Sequence, residues 1–518
     1  MRGYRLLKQS DQMSRISKVK QALTEEELYL SDKSFSPFFM GAGYFHGEIV
    51  VRQYLLIRIG GLGLNQALLY ASAKPGGEVI YPLPKEWRAT INQYGFKVAN
   101  FRSSLLWQLY IVGAFLYGVF QIFKVIFSGI TSLNSKDLEP KRHVYFAHLS
   151  AGNLPQGYEG EKSYDIISWY LQWTGSNQNI DAIHHSVSNA VNKHVGSVDL
   201  VYQAQMLPPL YGFFVIVKFA VWAISLCFIA LMDCLRARWW HAFLLNQAAL
   251  SAQLRFLPKS RLACEYLFHN SGWIYRPLWT YDAEKVGSKI TFYFYSTNCE
   301  DFKTSETDAP ATYGWKAMSW PNYLVWDNWQ ADFVRMTVGN DCEISIVGSI
   351  WFQSSSAELT NFGDTCIAVF DITPHRKSRY ITLGIANEFY TPDVINLFLQ
   401  QVSNGILQQG FFMHWKRKRN IERVAHPLYR KMIDQLGKKN HVRLVDPDIS
   451  AISVIEASDA VISMPFTSTA LVAKEMGKPS IYFDPTGLLC KFDHAAHGIP
   501  VLSSPAELDA WLSEQVVQ

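Results

Sequence analysis

The 518-residue sequence has few cysteines, seven in all, and they are scattered: Cys227, Cys234, Cys264, Cys299, Cys342, Cys366 and Cys490. No C-x-x-C pair occurs and the number is odd. That argues against structural zinc and against a disulfide framework, and it suits a reducing cytosol. Charge is sparse too: Asp, Glu, Lys and Arg make up 18%, and a net +4 on this length implies no nucleic-acid partner. The first twenty residues are basic and polar without an apolar core, so no secretory signal is expected there. No D-x-D stands in an acidic cluster; Asp446-Pro447-Asp448 reads as a turn, and no metal ligands are expected. Apolar residues, by contrast, reach 49% and aromatics 14%, with 16 Trp and 26 Tyr. Such a chain folds, and at this length it should hold two sizeable domains. Sugar sites, membrane interfaces and large cores all use aromatic side chains, so their abundance does not choose among these.

The most informative stretch is Ser458 to Pro485. Ala460 to Met464 is a short apolar run suited to a buried parallel strand. Pro465-Phe466-Thr467-Ser468-Thr469 turns the chain. A helical run to Met476 is stopped by Gly477, and Ser480 to Phe483 is another strand. The hydroxyls of Thr467, Ser468 and Thr469 thus fall between strand and helix, where backbone N–H groups and the helix dipole can hold an anion. The alternative is that Thr467 or Ser468 is simply a helix N-cap.

This stretch resembles the C-terminal nucleotide-binding half of GT-B glycosyltransferases. Within them it resembles the bacterial surface-polysaccharide proteins named for a PFTS motif, present here as Pro465-Phe466-Thr467-Ser468. A looser likeness is to capsule Kdo transferases, bacterial sialyltransferases and teichoic-acid glycerophosphotransferases. The likeness covers the last half of the chain well and the first half poorly. It implies an α/β, GT-B-like chain of two Rossmann-like domains facing a cleft; two apolar membrane-associating helices, read from the residues themselves, are expected as insertions in the N-terminal one. The expected divisions are a polar lead-in at 1–45, an acceptor domain at 46–355, and a nucleotide-sugar-binding domain at 366–518.

In the first half, Gln53 to Ile59 reads as a strand, followed by Gly60-Gly61-Leu62-Gly63 and a helix from Asn65 to Ala73. Strand, glycine loop and helix open a Rossmann-like unit. The pattern is short of G-x-G-x-x-G, and a tight turn explains the glycines equally well. Glu78 to Pro82 reads as a second strand. Two apolar runs follow, at 105–130 and 210–232, the second trailed by Arg236, Arg238, Trp239 and Trp240. Either is long enough to cross a bilayer. Val144 to Leu149, Ile166 to Trp173 and Val198 to Tyr202 lie between them and look like parts of one α/β domain. The favoured reading is therefore two helices lying on or dipping into one leaflet. A two-span hairpin and an apolar internal pair are the alternatives.

Ile290 to Tyr295, Tyr323 to Trp326 and Ile344 to Val347 read as strands. The resemblance would put Tyr275, Arg276, Trp279, Asn298, Trp326 and Asp327 at strand ends near the cleft; each also suits a core. From Ile367 strands and helices alternate strictly, which indicates a parallel sheet. Ligands bind outside the carboxyl ends of such strands. Those ends carry Asp371 to Arg376, including Thr373; the basic run Lys416, Arg417, Lys418 and Arg419; Asp446 to Asp448; and Ser463 to Thr469. The basic run is either a phosphate contact or a solvated face.

His426-Pro427 is similar to the His-Pro element of the sialyltransferase and teichoic-acid enzymes, where the His lies near the donor phosphate; a helix-capping role is the alternative. The resemblance implies an acceptor-activating base from the N-terminal domain, with Asp165, Glu159, Glu161, His148 and Asp327 as candidates. It also implies transfer without a bound metal and no cofactor beyond a nucleotide-sugar substrate. The partners implied are that donor, a glycan or lipid-linked acceptor and the inner face of the cytoplasmic membrane. A CDP-linked glycerophosphate transferase, a nucleotide-sugar epimerase and an inactive membrane-bound scaffold are the rivals.

Overall fold

The computed structural model describes residues 12–25, 44–133, 141–155, 165–175, 179–188, 194–270, 274–297, 299–300, 302–303, 315–350, 365–374, 391–417, 425–446, 449–465 and 467–515. The described chain opens with helices, not with a sheet. Gln12–Glu25 and Tyr44–Tyr54 lead through a π turn, Leu55–Ile59, into Leu62–Ser72 and Lys85–Gln93. The 32-residue helix Asn100–Thr131 follows.

Strands begin at β1 (His143–Phe146), β2 (Ala182–His185), β3 (His194–Val195) and β4 (Val198–Tyr202). Helices Phe213–Leu235 and Trp240–Arg255 intervene before β5 (Glu265–His269), β6 (Lys289–Tyr293), β7 (Asn322–Val325) and β8 (Glu343–Ile346). These eight strands form one sheet, ordered β3-β4-β2-β1-β5-β6-β7-β8. It is parallel apart from the β3–β4 hairpin.

The second sheet has β9 (Cys366–Phe370), β10 (Phe412–Lys416), β11 (Val442–Val445), β12 (Ala460–Ser463), β13 (Ser480–Phe483) and β14 (Val501–Leu502). Its order is β11-β10-β9-β12-β13-β14, and it is parallel throughout. This is the doubly wound order, in which the third, second and first strands precede the fourth, fifth and sixth. Strand order reverses between β9 and β12 here, and between β1 and β5 in the first sheet. The central strands β1, β9 and β12 are buried at every residue. Both faces are covered by helices, which is why these strands read as continuous apolar runs rather than alternating ones. The fold is α/β and GT-B-like: two Rossmann-like sheets in one chain.

Two expectations for the first half are corrected. Gln53 to Ile59 is helical, and Leu55, Leu56 and Ile59 are buried among neighbouring helices. A short run apolar on all sides has no period to separate strand from helix. Glu78 to Pro82 contributes one bridge, Val79 to Val98, and joins neither sheet. The Rossmann-like part of the N-terminal half therefore starts at His143, and the described residues before it are mostly helical.

The glycines Gly60, Gly61 and Gly63 join two helical segments, so they do not follow a sheet strand. A Cβ on Gly61 would stand 2.5 Å from the Ile57 carbonyl oxygen, and one on Gly63 would meet the Tyr81 hydroxyl at 2.6 Å. Gly61 and Gly63 are explained by close packing. Tyr275, Arg276 and Trp279 are also core residues rather than strand-end groups. Arg276 is buried over the Tyr281 ring, 3.8 Å from its centroid, with Nε donating to Thr280 Oγ1 at 3.0 Å. Trp279 packs edge-on against Tyr266. The Trp326 indole N–H donates to the Phe294 carbonyl at 2.7 Å. Asn298 lies outside the described residues.

Candidate functional site

The carboxyl-end loops of the first sheet meet the second domain. The turn after β12 touches the end of β6: Ser468 Oγ accepts from Thr297 N at 3.2 Å and from Thr297 Oγ1 at 3.0 Å. Beyond β6, Glu300 Oε2 lies 2.5 Å from His494 Nδ1, and Lys303 N donates to Asp493 Oδ2 at 2.5 Å. At the end of β7, Asp327 accepts from His497 Nδ1 at 2.8 Å. After β8, Ser349 N donates to Glu475 Oε2 at 3.0 Å. Each contact joins a carboxyl-end loop of β6, β7 or β8 to the second domain. The β9/β12 crossover adjoins this seam, and in the first sheet the β1/β5 crossover is formed by the strand next to β6 and its neighbour.

The hydroxyls of the turn are buried and wired together. Ser463 and Thr469 share a 2.8 Å hydrogen bond, Thr467 Oγ1 donates to Met464 O at 2.9 Å, and Tyr482 OH donates to Thr467 O at 2.6 Å. The helix that follows, Thr469–Glu475, is seven residues long, and Ser468 gives it no side-chain cap. The simple N-cap reading of Ser468 is thereby replaced: its hydroxyl binds the other domain. Pro465 lies in the turn, and Phe466 is outside the described residues.

Across the crossover, β9 ends in Asp371, which is buried and accepts from the Tyr429 hydroxyl. Burial pushes the Asp371 carboxyl up to about 6, against the hydrogen bond from Tyr429 and the charge of Arg417. Thr373 is buried two residues on. Of the basic run, Lys416 is the last residue of β10 and buried, and Arg417 follows it partly buried. Arg376, Lys418 and Arg419 lie outside the described residues. His426 Nδ1 accepts from Leu428 N at 3.2 Å and caps helix Pro427–Leu436, so its capping role is present.

On the N-terminal side, Asp165 is buried as the cap of helix Ile166–Thr174. It accepts from Ile167 N at 2.9 Å, Ser168 N at 2.8 Å and Ser168 Oγ at 2.7 Å. Asp327 caps helix Asn328–Val338 as well as meeting His497. Glu159 and Glu161 lie outside the described residues.

His148 differs from these acids. It sits exposed just past β1, at the crossover of the first sheet, with a left-handed backbone at φ 56°. Its carbonyl oxygen accepts from His269 Nε2 at 3.3 Å, which ties the ends of β1 and β5 together. A non-glycine residue in this conformation costs energy that the surroundings must hold, and such residues concentrate at functional sites. Desolvation lowers the His148 pKa below its ordinary value.

Sequence reasoning missed Thr297, Glu300, His494 and His497 as seam residues. Their pairings span more than 160 positions and carry no local motif.

Among solved structures, the wall teichoic acid polymerase TagF aligns at 13% identity over 79% of this chain and 88% of its own, with a TM-score of 0.37. Trehalose 6-phosphate synthase from Burkholderia multivorans aligns at 10% identity over 73% and 91%, with a TM-score of 0.36. S. aureus TarM aligns at 11% over 53% and 52%, with a TM-score of 0.31. Comparison with curated proteins finds no match. The polysaccharide biosynthesis PFTS motif proteins match over residues 217–512, which holds the seam, the β9/β12 crossover and the PFTS turn; the chain belongs to that family.

Proposed function

We propose that this protein is a glycosyltransferase that moves a sugar from a nucleotide-activated donor to a lipid-linked or growing surface polysaccharide. The observation that carries this reading is the seam at which the carboxyl-end loops of the first sheet meet the PFTS turn, next to the β9/β12 crossover. Crossovers are where parallel sheets bind ligands. The donor lies at the β9/β12 crossover, between the PFTS turn and Arg417. There the guanidinium and backbone N–H groups offset charge on the departing phosphate, as a metal does elsewhere. The acceptor lies at the β1/β5 crossover, and His148 accepts the proton of its hydroxyl as that oxygen attacks the anomeric carbon. The bond from that carbon to the donor phosphate breaks, and the nucleotide leaves with the electron pair.

The test is thermal stabilisation of the purified protein by CMP, UDP, GDP, dTDP and CDP. One nucleotide at a hundred times its Kd should add about 2.7 kcal/mol. Arg417→Ala should abolish the shift. Asp165→Asn, which alters a helix cap in the N-terminal domain away from the PFTS turn and Arg417, should keep it. Stabilisation by CDP or CMP alone would favour the glycerophosphate-type chemistry. No shift with any of the five would favour a non-enzymatic scaffold. Once the donor is named, His148→Ala should slow transfer by roughly 10²–10⁴ while nucleotide binding stays unchanged.

A further inference from the structure

Helices Asn100–Thr131 and Phe213–Leu235 are each long and apolar enough to cross a bilayer. Both are instead fixed along their length to the same body. Helix Asn100–Thr131 spans about 48 Å at 1.5 Å per residue. Its inner side, from Trp107 to Gly129, is buried, and Gly118 lies directly on Leu245 of the buried helix Trp240–Arg255. Helix Phe213–Leu235 buries Ile216, Phe219, Ala223, Leu226 and Ala230. The chain before the first helix pairs through Val79 and Val98 within the same core, and the chain after it enters β1.

The outer sides are apolar. Leu105, Leu109, Val112, Leu116, Phe120, Phe123 and Phe127 recur every three or four residues on one exposed stripe. Phe214, Val221, Ile224, Phe228 and Leu235 make a second. Both stripes are far beyond scattered surface apolar residues, and contiguous exposure of this kind marks an interaction surface. The charges at these stripes have one sign. Arg102, Lys124, Lys218 and Arg236 are exposed, and Asp233, the one acidic residue on the two helices, is buried against His241 and Arg238.

We propose that the paired outer faces of helices Asn100–Thr131 and Phe213–Leu235 are a docking surface for one leaflet of an anionic bilayer, with both helices lying in the membrane plane. The apolar stripes enter the leaflet, and the four cations stay at the headgroups. A spanning arrangement would need lipid or a membrane helix on the inner side as well. That side is Trp240–Arg255, whose Ser251 hydrogen-bonds Asp282 of the soluble layer beneath. The inference is independent of the nucleotide chemistry.

Flotation of the full chain with preformed vesicles tests it. Binding should be several-fold stronger to phosphatidylcholine vesicles containing 30% phosphatidylglycerol, roughly a physiological anionic fraction, than to phosphatidylcholine alone. Added salt should weaken it. Phe120→Asp with Phe228→Asp should bring flotation to background at unchanged melting temperature, because both side chains are exposed. Lys124→Glu with Lys218→Glu should cut binding to the anionic vesicles about tenfold or more. A membrane-impermeant maleimide should label a Tyr202→Cys variant equally with and without vesicles, since β4 lies between the two helices in sequence. Protection there means a spanning hairpin and overturns the in-plane arrangement. Equal flotation on both vesicle types overturns the anionic assignment. Absence of flotation overturns the whole, as does a lipid-free dimer that Phe120→Asp with Phe228→Asp dissociates, which assigns the face to a second copy.

Discussion

Ser468, the last residue of the PFTS motif, hydrogen-bonds Thr297 of the other domain: its hydroxyl accepts both the Thr297 N–H and the Thr297 hydroxyl, and both residues are buried. Ser468→Ala leaves two buried donors without that acceptor. The expected cost is about 1–3 kcal/mol in urea unfolding. Thr297→Val should cost less, and a double-mutant cycle should return a coupling of roughly 0.5–1.5 kcal/mol. Strict additivity would mean that the pair does not act as a tie. A lost activity in Ser468→Ala then has a structural cause to be separated from any ligand contact.

Asp371 makes stability depend on pH. Its folded pKa is raised to about 6 by burial. The stabilisation is therefore complete below the ordinary carboxyl value of about 4 and is lost as pH rises through 6. The difference across that window is about 3 kcal/mol at most. Asp371→Asn should match the wild type near pH 4 and exceed it by about 1–3 kcal/mol at pH 8, read from melting temperatures across the range. An advantage that does not grow with pH would show that the carboxyl is not held protonated.

The His494–Glu300 contact responds in the opposite sense to a simple carboxylate tie. The hydrogen bond to Glu300 is the main reason that the His494 pKa is raised. Its contribution is present below the ordinary histidine value and fades as pH climbs through the raised one. His494→Gln should therefore melt below the wild type at pH 6, and the gap should narrow by pH 9. A gap that is constant with pH would mean that the contact is not a charged one.

Gly118 sets how closely helix Asn100–Thr131 seats. A Cβ there would stand 2.5 Å from Leu245 Cγ. Gly118→Val should cost about 1–3 kcal/mol by overpacking, and Leu245→Ala in the same chain should recover part of it. Gly113 lies five residues earlier on the exposed side, with open space around its Cβ position. Gly113→Ala should stabilise by roughly 0.5–1 kcal/mol through helix propensity alone. Equal effects at the two glycines would contradict the seating described.

Legibility followed sequence locality. The second sheet was readable strand by strand, because each strand is a buried apolar run closed by turn residues, and helices with clear stops separate them. Ala460 to Met464 and Ser480 to Phe483 fall within a residue of β12 and β13. The run from Gln53 to Ile59 misled because a segment buried on all sides has no polar face to set its period. At the site, the hydroxyls of Thr467 to Thr469 were visible as a cluster, but their directions were not. Asp165, Asp327 and His426 each stand before a helix, and each proves to cap one.

The sequence by itself determined the α/β class, the strict alternation of the second domain, the place of the PFTS turn and the two long apolar helices. All of these are properties of neighbouring residues, set by side-chain period, chain breakers and local hydrogen bonding. Only the tertiary structure decided that Ser468 meets Thr297, that Asp327 meets His497, and that His148 stands at a crossover in a left-handed backbone. It also decided which side of each apolar helix is covered. Such pairings join residues more than 160 positions apart, and strand order, not local preference, brings them together.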